Sequence, residues 1–354
     1  MLKRIATWAI ALSAITLAVL GTTGTANRQD VIVDYDADEA ESSVCAVIVA
    51  QDGSGDYQFI QDAIDDPNAC EIMVMPGIYK ENVSIGRNVV IRSYDGPLTT
   101  VIDGSPGAAS SAAISVNASL NVTIEGLCIC NGKYGIYINY GDRVILRNCV
   151  FWANTSHGIY IRDGWSLNVT PSTHIYNCVS AYNGASGIFL GQYHILYSQD
   201  SVPPTTCMNS ILVNNGSYAI RIYTCAYLKN EAAVSLNYNC YWNNSAGDFY
   251  CGIGPGEKIS AGQNSIYLDP RFCNTIGGDF RLRSDSPCVD AGGPGWAFID
   301  PDGTDNDMGV YGGPGSATFF EDCNDGPIVR SLRLSPGSVP QGSPLTIRAT
   351  ASVR

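Results

Sequence analysis

Asn148-Cys149-Val150, running to Asn154 and Gly158-Ile159, returns as Asn177-Cys178-Val179 to Asn183 and Gly187-Ile188. It returns again as Asn209-Ser210-Ile211 to Asn215 and Ala219-Ile220. In each copy the first Asn precedes the second by six residues, and the second precedes the Gly or Ala by four. The copies start 29 and 32 residues apart. A fourth is read at Asn239-Cys240-Tyr241-Trp242, and Gly126-Leu127-Cys128 with Gly135-Ile136 is a weaker one upstream. Fixed spacing inside a block with variable spacing between blocks describes a solenoid whose insertions fall in loops on one side of each coil. Gly-Ile-Tyr-Ile at 158–161, Gly-Ile-Phe-Leu at 187–190 and Ala-Ile-Arg-Ile at 219–222 alternate with period two. Aliphatic side chains therefore face one way and Tyr, Phe or Arg the other, as in strands. The fold expected is an all-β parallel solenoid, with strands of successive coils about 4.8 Å apart and aligned asparagines laddered down the stack. The competing reading, an antiparallel sandwich, does not repeat Asn and Gly in register.

Composition narrows the setting. Lys3 and Arg4, an apolar run from Ile5 to Leu20 and small residues ending Gly24-Thr25-Ala26 read as an export signal over residues 1–26, cleaved before Asn27. Residues 27–44 read as an acidic leader, 45–315 as the solenoid with its end segments, and 316–354 as a linker and tail. A secreted or cell-surface location follows, with no membrane insertion after signal cleavage. The net charge of −13 argues against nucleic acid and anionic membranes as partners. Thirteen cysteines, an odd number, leave at least one thiol unpaired within the chain. Cys45 with Cys70 is a plausible bridge. Cys149, Cys178 and Cys240 are read as one stacked core column of thiols, and Cys128-x-Cys130 as one outward and one inward strand position.

Tyr57 to Asp66 is the one convincing helix, with Phe59, Ile60, Ala63 and Ile64 as its apolar stripe and Asp65-Asp66-Pro67 as its stop. A helix there caps the open end of the stack. Around it run Val49-Ala50-Gln51-Asp52-Gly53-Ser54-Gly55-Asp56-Tyr57, Ile60-Gln61, Ala63-Ile64 and Pro76-Gly77-Ile78-Tyr79-Lys80-Glu81-Asn82-Val83. These segments resemble the opening of pectin methylesterases, and equally the wider pectate-lyase-like superfamily. The resemblance implies a right-handed parallel β-helix in which this opening builds the cap and first turn. The segments at 267–272, 279–282 and 286–292 are similar to the endings of exported repeat proteins of this kind. Beyond Pro327, Ser335-Pro336 through Thr346-Ile347 looks like the first strands of an immunoglobulin-like module.

The methylesterase resemblance implies two catalytic aspartates with flanking glutamines on an outward sheet face, one carboxyl as nucleophile and one as general acid and base. The matching candidates are Gln199 and Asp200 in Gln199-Asp200-Ser201, and Asp248 in Asp248-Phe249-Tyr250-Cys251-Gly252. They lie 48 residues apart, more than one coil, and the family's Arg-Pro-Trp is missing. Ser156-His157-Gly158 and Arg221-Ile222 are fragments of a polygalacturonase-like set. Asp300, Asp302, Asp305 and Asp307, alternating around Gly303, are a candidate structural calcium set. Tyr137, Tyr160, Phe189, Arg221 and Tyr250 hold one outward position in successive coils and form a candidate glycan-stacking stripe. The expected function is binding of a polysaccharide or surface glycan. The alternatives are a polysaccharide-acting lyase or esterase and a structural spacer of a larger adhesin.

Overall fold

The computed structural model describes residues 45–352 except 106, 108–110, 118–119, 140–142, 163–171, 192–204, 224–233, 253–260, 295–297, 317–318, 320–327 and 336–345. The expected signal peptide and acidic leader lie outside the described residues. The chain divides into two units, Met1–Ala46 and Val47–Arg354; of the first, only Cys45 and Ala46 are described.

Three parallel sheets wind together as a right-handed parallel β-helix. The first has eight strands, from Ala46–Val49 to Val234–Asn237. The second runs in seven from Gly77–Tyr79 to Cys240–Trp242, and the third in seven from Val83–Ile85 to Gly247–Cys251. Seven coils contribute one strand to each sheet, Ala46–Val49 adds an eighth strand to the first, and successive coils pair in parallel. The inward residues, such as Ile124, Leu146, Ile129, Phe151, Ile159 and Ile161, are buried in one continuous apolar core.

Register confirms the repeat and corrects its last copy. Val150 lies opposite Val179, and Val179 opposite Ile211. Ile211, however, lies opposite Cys240, so Asn239 matches Ser210 and Tyr238 takes the corner that Asn148, Asn177 and Asn209 hold. The fourth copy is displaced by one residue from its expected place. A one-residue slip exchanges sheet faces: Cys149 and Cys178 sit in the interior core, whereas Cys240 packs on the outer side with Val150, Val179 and Ile211. The same period corrects Cys128-x-Cys130. Residues i and i+2 share a face, with Ile129 turned into the core and Cys128 packed on the outer side.

The five coils that begin with the strands from Asn121–Glu125 to Val234–Asn237 each turn two corners through a left-handed residue. The first uses Gly126 (φ 72°), Asn148 (48°), Asn177 (50°), Asn209 (55°) and Tyr238 (54°). The second uses Asn131 (59°), Ala153 (54°), Tyr182 (55°), Asn214 (54°) and Asn243 (50°). Asn visits this region readily, while Ala or Tyr there costs about 1–2 kcal/mol. Stacking on neighbouring coils holds the corner where local preference does not.

The two repeating asparagines do different work. The second one ladders: Asn154 Nδ2 donates to Asn183 Oδ1 (3.0 Å), Asn183 Nδ2 to Asn215 Oδ1 (3.0 Å), and Asn215 Nδ2 to Asn244 Oδ1 (2.9 Å). Gly158 leans on this ladder, and a Cβ there would collide with Ser180 Oγ and Asn183 Nδ2. The first asparagine clasps a C-terminal strap instead. Asn148 Nδ2 donates to Val310 O (2.9 Å) and Gly312 O (2.8 Å). Asn177 Nδ2 donates to Asp307 O (2.9 Å) and Asn306 Oδ1 (3.0 Å), and Asn209 Oδ1 accepts from Gly293 N (2.7 Å). The strap lays Phe280, Cys288, Met308, Val310 and Phe319 against the outer side of the second sheet, burying them with Val150, Val179 and Ile211.

At the other end the helix is Ile60–Asp65, shorter than expected. It buries Ile60, Ala63 and Ile64, while Phe59 is 53% exposed. Its first amides lack a local cap, and the Glu81 carboxylate replaces one: Ile60 N and Gln61 N donate to it at 2.9 and 3.0 Å. Arg87 reaches the carbonyls of Ala63 and Ile64 at the far end. The opening motif therefore builds the cap. Cys45 and Cys70 are both disulfide-bonded, as are Cys251 and Cys273. Ile328–Ser335 and Thr346–Ser352 form an antiparallel pair.

Candidate functional site

The outward residues of the third sheet form the best-defined surface feature. Ser84, Ser115, Tyr137, Tyr160, Phe189, Arg221 and Tyr250 follow one another in register across seven strands. The five residues expected to form a stripe are therefore brought together. Tyr137 and Tyr160 meet at 5.1 Å between ring centroids, Tyr160 and Phe189 at 5.0 Å. Arg221 lies between two rings, 5.4 Å from Phe189 and 5.4 Å from Tyr250.

A second column runs beside the first, at the residue preceding each Gly or Ala: Tyr134, His157, Ser186 and Tyr218. Tyr134, His157 and Ser186 precede the strands whose alternation carries the reading and Tyr218 opens its own; of the four, only His157 is a sequence candidate, as a polygalacturonase-like fragment. Tyr134 packs edge-on to Tyr160 at 4.9 Å, His157 stacks on Phe189 at 4.6 Å, and Tyr218 stacks on Tyr250 at 5.0 Å. Burial, and then the Arg221 charge, push the His157 pKa down to about 4. The ring is neutral at pH 7, with Nδ1 accepting from Ser186 N at 3.1 Å. Burial raises the Tyr160 phenol pKa, keeping it a hydrogen-bond donor. Arg162 donates from Nη1 to the Tyr137 hydroxyl at 3.0 Å, and the Lys133 ammonium lies 5.1 Å over Tyr134.

Tyr134, Tyr137, Tyr160 and Arg162 line a cavity of about 660 Å³ together with Asn82, Val83, Ser111, Ala112 and Ser115. The site thus offers half-buried rings, hydroxyls, an amide and one guanidinium, with no carboxylate among the described residues that line it. Asn82 Nδ2 is committed to Gly104 O and Ala112 O at 3.0 and 2.9 Å, which fixes that part of the lining.

Of the catalytic candidates, Asp248 is not among the described residues that line this cavity. Gln199 and Asp200 lie outside the described residues. Asp248 terminates the asparagine ladder, accepting from Asn244 Nδ2 at 3.4 Å. Three of the four aspartates expected to hold calcium, Asp300, Asp302 and Asp307, accept from backbone amides. Asp300 is buried and accepts from Asp307 N (2.9 Å) and from Gly313 N. Asp307 accepts from Asp290 N at 2.7 Å, Asp302 accepts from Thr304 N at 3.0 Å, and Asp305 is exposed. Burial first raises Asp300 to about 6 and Asp307 to about 7, with neighbouring aspartates adding to the rise. Among the described residues no three His, Cys, Asp or Glu side chains form a group able to hold a metal ion.

Residues 77–224 match the family described as right handed beta helix region. With the three stacked sheets, this gives the chain the fold of a right-handed parallel β-helix. It is 30% identical over 109 residues to a cell surface glycoprotein of Methanothermus fervidus, covering 30% of this chain and 16% of that protein. It is also 30% identical over 125 residues to a pectinesterase/pectinesterase inhibitor of Brassica campestris, covering 29% of this chain and 22% of the relative. The matched stretches therefore span under a quarter of either relative. Among solved structures, a pectin methylesterase from Erwinia chrysanthemi aligns at 12% identity and a TM-score of 0.29, over 63% of this chain and 93% of that one. No helix among the described residues is long and apolar enough to cross a membrane.

Proposed function

We propose that this protein binds a glycan chain outside the cell, laid along the outer side of the third sheet. The observation that carries this is the in-register column Tyr137, Tyr160 and Phe189, with rings about 5 Å apart beside an open, hydroxyl-lined cavity. Half-exposed rings present apolar faces to the C–H faces of sugars, while Arg162 and the serines meet hydroxyls or carboxylates. Arg162, Lys133 and Arg221 make this face cationic within a chain of net charge −13, which favours an acidic glycan. Binding is favoured over turnover because the described residues that line the cavity include no carboxylate pair for acid–base or nucleophilic work.

The test is affinity electrophoresis in pectin, polygalacturonate and alginate gels. Retardation of the wild-type chain, weakened at least tenfold in Tyr137→Ala/Tyr160→Ala, is the expected result. No retardation in any of the three, or equal retardation of the double variant, overturns the reading. Methanol release from pectin that disappears in Asp248→Ala would replace it with an esterase.

A further inference from the structure

We propose that the cleft between the second corners and the C-terminal strap is a separate carbohydrate site that takes a neutral saccharide unit. It uses none of the rings of the third-sheet face and stands or falls without them. Tyr182, Asn214 and Asn243 occupy consecutive corners, spaced by the coil repeat of about 4.8 Å. Arg271, Arg283 and Asp285 face them from the strap across about 570 Å³, a volume in the range of small-ligand sites.

Three features give this cleft its chemistry. Trp242 and Tyr182 are 40% and 41% exposed, so two large rings that line the cleft keep much of their area in water. Covering them with the C–H face of a sugar ring removes apolar area from solvent. Next, Asn243 Nδ2 donates to Asn214 Oδ1 at 2.7 Å. That pairing leaves Asn243 Oδ1 to accept and Asn214 Nδ2 to donate, with no partner for either among the described residues. A single sugar hydroxyl does both, accepting from one amide while donating to the other. Finally, the charges cancel. Arg271 and Arg283 share Asp285 at 3.0 and 3.3 Å, and Asp269 Oδ1 accepts from Arg271 N at 2.9 Å. Two guanidiniums against two carboxylates give no reward to an anionic sugar, in contrast with the cationic third-sheet face.

The test uses the full chain with cellopentaose, mannopentaose and galactopentaose as neutral probes and tri-galacturonate as the anionic one, read by titration calorimetry and saturation-transfer NMR. At least one neutral probe should bind in the millimolar range or tighter. Trp242→Ala should weaken it tenfold or more. Asn243→Gly, which keeps the positive φ, should weaken it several-fold with an unchanged circular dichroism spectrum. Tyr137→Ala/Tyr160→Ala should leave neutral-probe binding unchanged, whatever it does to tri-galacturonate. The proposal is overturned if no neutral probe binds, if Trp242→Ala and Asn243→Gly both bind like wild type, or if the double tyrosine variant abolishes neutral-probe binding.

Discussion

Replacing Asn183 with Ala removes the middle rung of the buried ladder. The Asn183 amide donates to Phe151 O and Asn215 Oδ1, both at 3.0 Å, and accepts from Asn154 N at 3.1 Å and Asn154 Nδ2 at 3.0 Å. All four asparagines of the ladder are at most 8% exposed, so water does not replace what is lost. After truncation Asn154 N, Asn154 Nδ2 and Phe151 O each lose the bond that the amide supplied. At about 1–3 kcal/mol for each of the three buried groups, the loss is roughly 3–9 kcal/mol. That is a large fraction of the ~5–15 kcal/mol that holds an ordinary domain together. Asn183 is not itself a corner residue, so no left-handed strain enters the comparison. Urea unfolding followed by tyrosine and tryptophan fluorescence gives the global change, and amide exchange at residues 151–158 and 180–187 gives the local one. Asn243→Gly is the control: its amide bond is exposed, and the change should stay within about 0.5 kcal/mol. A loss below 1 kcal/mol for Asn183→Ala, with exchange unaltered in both coils, would refute the claim that these amides hold the corners.

Asn177→Gly keeps the left-handed corner but removes the clasp on Asn306 and Asp307; faster exchange and proteolysis at 306–313, with the coils unchanged, is the expected outcome. Asp300 and Asp307 have raised folded-state values, so their contribution is complete below about pH 4 and fades as pH climbs through 6 and 7. Exchange in the strap should therefore quicken between pH 5 and 8. His157 works the other way: its depressed value makes its contribution complete above about 6.5 and lost as pH falls toward 4, so exchange at 157–160 should quicken on acidification. EDTA should leave strap exchange unmoved at any of these pH values if Asp300, Asp302 and Asp307 serve only the amides that donate to them; a chelator-induced opening would make calcium their partner.

The fold was legible because the interior demands one residue type per position per coil. Gly158 and Gly187, the second asparagines and the alternating Ile residues repeat because each stacks on its own equivalent. The ring column was legible for the same reason. Tyr238-Asn239-Cys240 was misread by one position because Asn occurs at both of two adjacent places, and only the pairing of Ile211 with Cys240 decides between them. The clasping role of Asn148 and Asn177 was out of reach. Their partners lie 162 and 130 residues further along the chain in a segment without periodicity. The second aromatic column was missed because it lies before or at the very start of each strand, ahead of the residues whose alternation is visible.

The strap has a consequence for the order of assembly. Each coil rests on the one before it at separations near thirty residues, such as the 29 between Asn154 and Asn183, so a chain emerging from its N-terminal side winds from local contacts as it goes. The outer side of the second sheet stays greasy until residues 280–319 arrive, and several coils must be standing before the asparagine hooks have anything to catch. A chain interrupted before residue 306 would therefore be wound but unsealed, with Val150, Val179 and Ile211 open to association with another chain.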